Sequence, residues 1–160
     1  MRLLSYTVPG WGVGELLYVG DRLVQHDLPR ARPELTGPAD DDVVHRLLRY
    51  FAGERVGFED VPIDLSWTTR FQQALAETLR SVPYGEVVTY GELAALAGYP
   101  GAQRAAGGFC AANPFSLIIP CHRVVAATGL GSYGSLGQAY KRRLLALEGM
   151  STPLPHPPFA

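Results

Sequence analysis

The stretch from Thr89 to Ala112 restricts the fold of this chain more than any other. Thr89-Tyr90-Gly91-Glu92 has the form of a capping box, in which a Thr hydroxyl and a Glu carboxylate three residues on satisfy each other's backbone N–H groups. It predicts a short helix from Tyr90 to Ala97, closed by Gly98. Tyr99-Pro100-Gly101 is a tight turn, and residues 102–112 read as a second helix built largely of Ala and Gly. A helix, a short turn and a small-residue helix outline a helix-turn-helix. On pattern alone an αα-hairpin that only packs is equally consistent. The small residues favour a surface that something large approaches closely.

Charge is distributed to match. The formal net charge of −1 argues against a polyanionic partner, yet no acidic residue lies between Glu92 and Glu148. That interval carries Arg104, Arg123, Lys141, Arg142 and Arg143, while residues 1–65 hold the acidic excess. A second half of one sign suits a partner whose phosphates must be neutralised. Composition, 47% hydrophobic and 18% charged, is that of an ordinary globular protein. No run of about 18 apolar residues offers a membrane span, and the N-terminus meets Pro9 and Gly10 too early for a secretory signal.

Two cysteines, Cys110 and Cys121, are too few for a disulfide framework or a four-thiolate zinc site, and their spacing with His122 matches no usual metal motif. No metal and no cofactor are expected, and an intracellular, reducing compartment fits best. Cys121 stands in Ile118-Ile119-Pro120-Cys121-His122-Arg123-Val124-Val125, a thiol beside an imidazole and a guanidinium between apolar pairs. Such a thiol is a candidate nucleophile that need not remain neutral; the bland alternative is an inert buried cysteine. Neighbours on an extended strand face opposite ways, so contact between Cys121 and His122 requires a turn, which Pro120 favours, or a bridging water. Among the few carboxylates after Asp64, Glu148 is preferred over Glu86 to orient the imidazole, because Glu92 is committed to its cap.

The rest of the chain divides into parts. Residues 1–65 read as a small mixed α/β domain with a linker: a strand from Arg2 to Val8, a hairpin about Gly20-Asp21-Arg22, a loop over 29–40, and a helix from Asp41 to Phe51. Residues 66–150 read as a mostly helical domain. It has a helix carrying Phe71, Ala74, Leu75 and Leu79, the helix pair, a glycine-rich loop over 129–137, and a last helix from Gln138 to Leu147. Residues 151–160, rich in Pro, are expected to be a disordered tail. The fold class is α+β.

Pro83-Tyr84-Gly85-Glu86-Val87-Val88-Thr89-Tyr90-Gly91-Glu92-Leu93-Ala94, Arg104-Ala105-Ala106-Gly107-Gly108, Asn113-Pro114, Pro120-Cys121-His122-Arg123-Val124 and the Lys141–Gly149 segment occur in that order. In this the chain resembles the O6-alkylguanine-DNA alkyltransferases (methylated-DNA–protein-cysteine methyltransferases). The resemblance implies a ribonuclease H-like N-terminal domain and a C-terminal domain with a winged helix-turn-helix. It implies repair of double-stranded DNA by single-turnover transfer of the alkyl group from O6-alkylguanine, or O4-alkylthymine, to Cys121 after the nucleotide is flipped out.

It also implies roles. His122, through a water, and Glu148 share the proton of Cys121; Asn113 braces the Cys turn; Tyr90 lies near the leaving oxygen or the 3′ phosphate. Arg104 replaces the extruded base, Val124 offers backbone to the base edge, Tyr133 and Ser135 form a pocket lid, and Arg123 belongs to the substrate-binding set. A monomer in the cytoplasm, nucleoid-associated if bacterial, follows from the same resemblance. Two other classes stay open: a damage-sensing DNA-binding module without catalysis, and a Cys-His hydrolase or thiol transferase acting on small molecules.

Overall fold

The computed structural model describes residues 1–37 and 40–150. The expected tail, 151–160, lies outside the described residues. The architecture is mixed α/β, with two small sheets and five α-helices among the described residues. The chain forms two units: Met1–Ser66 with Pro114–Ile118, and Trp67–Asn113 with the chain from Ile119 onward.

In the first unit, strands β1 (Arg2–Val8), β2 (Gly12–Val19) and β3 (Arg22–Arg30) form an antiparallel meander in the order β1-β2-β3. Ser5 pairs with Glu15, and Leu16 with His26. Tyr6, Val8, Leu16, Tyr18, Leu23 and Leu28 are buried. Helix α1 (Asp42–Phe51) is capped by the Asp41 carboxylate, which accepts from Val44 N–H at 3.0 Å, and it buries Val43, Val44, Leu47, Tyr50 and Phe51. The expected loop over 29–40 begins later than its composition suggests, because β3 runs on through Pro29 to Arg30. The β2–β3 register shifts between Val13 and Glu15, and an irregularity on an edge strand is where a residue without an N–H is tolerated.

One buried polar chain in this unit is closed. The His26 backbone N–H donates to Pro114 O at 2.8 Å, and its ring Nδ1 lies 2.5 Å from Ser116 O. A carbonyl only accepts, so Nδ1 carries the hydrogen, and Nε2 must accept from the Tyr6 hydroxyl, 2.5 Å away. Burial is the main force pushing this imidazole down to about 4, so it is neutral at pH 7. Leu117, next to Ser116, is a buried non-glycine residue at φ 69°, a conformation that costs about 1 kcal/mol or more.

In the second unit, helix α2 (Arg70–Arg80) opens on a Thr69–Gln72 capping box and buries Leu75, Ala76 and Leu79. Two-residue strands β4 (Val88–Thr89) and β5 (Val124–Val125) pair in parallel, Val88 with Val124 and Thr89 with Val125. Helix α3 (Tyr90–Leu96) starts directly from β4. Its capping box has both halves: Thr89 N–H donates to Glu92 Oε1 at 2.8 Å and Glu92 N–H to Thr89 Oγ1 at 3.0 Å. Gly98, at φ 95°, turns the chain after α3 at no Cβ cost. Helix α4 (Gln103–Ala111) follows and packs on α3, burying Ala106 and Phe109. Helix α5 (Gly137–Leu147) buries Lys141, Leu144 and Leu145. Val87, Val125 and Leu145 form a core cluster against which Leu130 and Met150 pack. No described helix is long and apolar enough to cross a membrane.

Candidate active site

Cys121 opens a single 3-10 turn, Cys121–Arg123, rather than continuing an extended strand. Cys121 N–H donates to Ile119 O at 2.8 Å and Arg123 N–H to Pro120 O at 2.9 Å. The turn separates consecutive side chains by roughly a third of a revolution rather than half. The Asn113 side-chain amide spans the base of the turn, donating to Ile119 O at 2.9 Å and to Cys121 Sγ at 3.1 Å.

Behind the turn lies a buried charged cluster. His122 Nε2 and Glu148 Oε2 are 2.6 Å apart, with both side chains fully buried. Glu148 also accepts from Gly85 N–H at 3.0 Å, Arg123 Nε at 3.0 Å and Arg123 Nη2 at 3.1 Å. Arg123 Nη1 donates to Val82 O at 2.9 Å, and the guanidinium carbon sits 5.8 Å from the centre of the Tyr84 ring. Burial alone would raise the Glu148 carboxyl, but His122 and Arg123 outweigh it and hold the acid well below the usual carboxylate range. Burial pushes His122 down, against the pull of Glu148. A neutral imidazole that donates from Nε2 to a carboxylate keeps its lone pair on Nδ1. That Nδ1 is buried and hydrogen-bonds to no described residue.

The thiol is under opposed influences. Burial first, and then Cys110, push it well up; Asn113 and Lys141 pull it down. The expectation of a readily formed thiolate is therefore modified: at rest Cys121 holds its proton and must surrender it during the reaction. Lys141, fully buried, donates from Nζ to Val124 O at 2.5 Å and Ser132 O at 3.2 Å. Burial lowers it to about 8, so the ammonium persists at neutral pH. Tyr90 is pushed up to about 12, by burial first and then by the two cysteines, and so keeps its hydroxyl proton. A Cβ on Gly131 (φ 78°) would lie 3.3 Å from the Tyr90 oxygen, so the glycine loop passes directly against this tyrosine.

An open groove of about 750 Å³ is lined by Thr89, Tyr90, Gly91, Gly101, Gln103, Arg104, Ala126 and Ala127. It combines the start of α3, the start of α4 and the chain after β5. Tyr90 is the residue common to the groove and to the surroundings of the sulfur.

Residues 70–150 match the model of the DNA-binding domain of 6-O-methylguanine DNA methyltransferase. A methylated-DNA–protein-cysteine methyltransferase of Haemophilus influenzae is 46% identical over 162 residues, covering 92% of this chain and 88% of that protein. One from Metallosphaera sedula is 46% identical over 110 residues, covering 69% of this chain and 68% of its own length. The crystal structure of Mycobacterium tuberculosis OGT in complex with DNA superposes with a TM-score of 0.76 at 36% identity, covering 93% of each chain. The chain belongs to the O6-methylguanine-DNA methyltransferase family.

Of the residues that the family resemblance singles out, Cys121, His122, Glu148, Asn113 and Tyr90 come together in one site. Arg104 is exposed on α4 and lines the groove. Val124 is buried, its backbone paired with Val88 and its carbonyl bonded to Lys141. Tyr133 is half-buried, its ring 6.4 Å from that of Tyr140, and Ser135 is exposed on a 3-10 turn, Gly134–Leu136.

Arg123, expected in the substrate-binding set, turns its guanidinium to Glu148 and Val82 O, and only 8% of the residue is exposed. Two further residues border the sulfur: Lys141, which the sequence presents as one more positive charge, and Cys110, which it presents as a thiol without a metal motif. The signal was periodicity. Lys141, Leu144, Leu145 and Glu148 form a buried stripe at helical spacing, and Ala106, Cys110 and Asn113 share a face of α4 and its exit.

Proposed function

We propose that this protein repairs alkylated double-stranded DNA by moving the alkyl group of O6-alkylguanine, or O4-alkylthymine, onto Cys121, once per molecule. The observation that carries the reading is the buried Cys121 thiol, bonded by Asn113 and backed by a His122–Glu148 pair whose second imidazole nitrogen is left for a proton. The curated relatives' name, methylated-DNA–protein-cysteine methyltransferase, supports the same chemistry.

The mechanism follows from the charges. His122 Nδ1 takes the Cys121 proton through one water, and Glu148 stabilises the imidazolium that forms. The Lys141 ammonium and the Asn113 amide favour the thiolate while it lasts. The sulfur attacks the alkyl carbon, an S–C bond forms, and the C–O6 bond breaks. The guanine regains a proton, with the Tyr90 hydroxyl placed to supply it and be recharged from the imidazolium. The thioether that remains has no acyl carbon for water to attack, so Cys121 is consumed. No cofactor or metal enters this scheme.

A base in a stacked duplex cannot reach a thiol that is 5% exposed, so the nucleotide must be extruded at a cost of a few kcal/mol. Helices α3 and α4 serve as the helix-turn-helix, with a wing as in winged-helix proteins. The small residues of α4 let it lie close in the minor groove, and Arg104 fills the vacated stack. Val124 meets the base edge, and Tyr133 with Ser135 closes over the flipped nucleotide. We assign residues 66–150 as the alkyltransferase and DNA-binding domain and residues 1–65 as a ribonuclease H-like domain. The protein acts as a monomer in the cytoplasm, on the nucleoid in a bacterium. The structure of OGT with DNA supports the partner.

The test is incubation with duplex DNA labelled on an O6-methyl group. Label should appear on the protein, stop at one equivalent, and map to Cys121 as a single added methyl. DNA binding without label on the protein would overturn the proposal in favour of damage sensing. Continued turnover would point to a small-molecule thiol enzyme.

A further inference from the structure

The mechanism above has no use for Cys110, yet it is held at the nucleophile. Its thiol lies near enough to act directly on the Cys121 thiol and push it up. Asn113 ties the two residues together: its backbone N–H donates to Cys110 O at 3.3 Å and its side-chain amide to Cys121 Sγ at 3.1 Å. The Tyr90 hydroxyl and the Lys141 ammonium each feel both sulfurs. Cys110 is half-buried on α4 and Cys121 is buried, so a small solute meets Cys110 first. Both are free thiols in the structure.

We propose that Cys110 and Cys121 form a reversible oxidation site, in which a hydroperoxide converts the pair to a disulfide that stores the alkyl acceptor in protected form. The Cys110 thiolate attacks hydrogen peroxide; an S–O bond forms, the O–O bond breaks, and water leaves, giving a sulfenic acid. The Cys121 thiolate then attacks the Cys110 sulfur; the S–S bond forms, the S–O bond breaks, and the departing hydroxide leaves as a second water. Two thiols lose two protons and two electrons, and one peroxide is reduced to two waters. A dithiol reverses the step.

Lys141 supports it by favouring the Cys121 thiolate, the group that attacks in the second step, through its buried positive charge. The consequence is specific to an acceptor used only once. Without a resolving partner, a sulfenic acid on Cys121 proceeds to sulfinic and sulfonic acids, which no dithiol reverses. With Cys110 at hand the same insult costs only a reduction. An alkylated Cys121 cannot enter the disulfide, so used and unused molecules separate under oxidation.

The experiment is peroxide treatment of the whole protein, read by intact mass and peptide mapping before and after dithiothreitol. Unused wild type should lose two hydrogens, yield a cross-linked Cys110–Cys121 peptide, stop accepting methyl groups, and recover both mass and transfer on reduction. Cys110→Ala and Cys110→Ser, each compared with its own untreated sample, should instead gain oxygen atoms at Cys121 and stay inactive after reduction. Two alanine- and serine-bearing variants guard against one that folds poorly, with far-UV circular dichroism as the check. Oxygen on Cys121 without the cross-link in wild type, a wild type unchanged by peroxide, or equal recovery in the Cys110 variants would each overturn the proposal. The mass readouts stand whether or not the protein transfers alkyl groups, so failure here is distinct from failure of the repair reading.

Discussion

The two units each bury a histidine and use it to opposite ends. In the first, His26 is enclosed with both ring nitrogens satisfied, Nε2 by Tyr6 and Nδ1 by Ser116 O. In the second, His122 is equally enclosed, but only Nε2 is bonded, to Glu148, and Nδ1 hydrogen-bonds to no described residue. Burial lowers the basicity of both rings. The two imidazoles therefore differ not in burial but in one lone pair, spent in His26 and left over in His122. The surrounding charges differ in the same sense. His26 hydrogen-bonds only neutral groups and feels Asp27 and Arg32 at longer range, whereas His122 bonds a carboxylate directly and stands in the field of Arg123 and Lys141.

That contrast can be broken at several points. Replacing the sulfur has the largest effect. Cys121→Ser should lower methyl transfer by on the order of 10⁴-fold or more while duplex binding persists, measured by single-turnover transfer and gel shift. Next, Glu148→Gln leaves the Arg123 guanidinium buried and uncompensated; denaturant unfolding should show a loss of about 3–5 kcal/mol, and transfer should slow as well. Lowering the pH tests the first unit. The unfolded chain takes a proton on His26 near pH 6.5, and the folded one refuses it until about 4. Stability is thus complete above 6.5 and drains as pH falls toward 4, by about 2 kcal/mol between pH 6.5 and 5. His26→Gln should flatten that slope. Smallest is Tyr6→Phe, which strips His26 Nε2 of its donor and should cost about 1 kcal/mol with transfer per folded molecule unchanged. A transfer defect in Tyr6→Phe as large as that of Glu148→Gln would collapse the distinction between the two histidines.

Local rules made much of the second unit legible. Thr89 and Glu92 announced the start of α3, Gly98 its end, and Pro120 the turn that brings Cys121 and His122 out of strand geometry. Glu148 could be chosen because so few carboxylates remained. What stayed hidden depends on distant partners. Arg123 looks like a ligand-facing cation until its neighbours are known, and only three-dimensional packing shows Val82 O and Glu148 consuming it. Lys141 sits among three basic residues, 141–143, and only its helical spacing to Leu144, Leu145 and Glu148 marks it as the one that turns inward. In the first unit, the continuation of β3 through Pro29 was concealed because the register shift that accommodates it is a property of the strand pair, not of either strand.

The two-residue pairing of β4 with β5 carries a consequence of its own. Thr89 is at once the end of β4, the partner of Val125, and the cap that starts α3, while Val125 stands only four residues beyond Cys121. The thiol and the first turn of α3 are therefore bolted to the same pair of short strands, and neither can swing without tearing backbone hydrogen bonds. One short backbone ladder thus sets the span from the first turn of α3 to the sulfur, whatever the loops around it do.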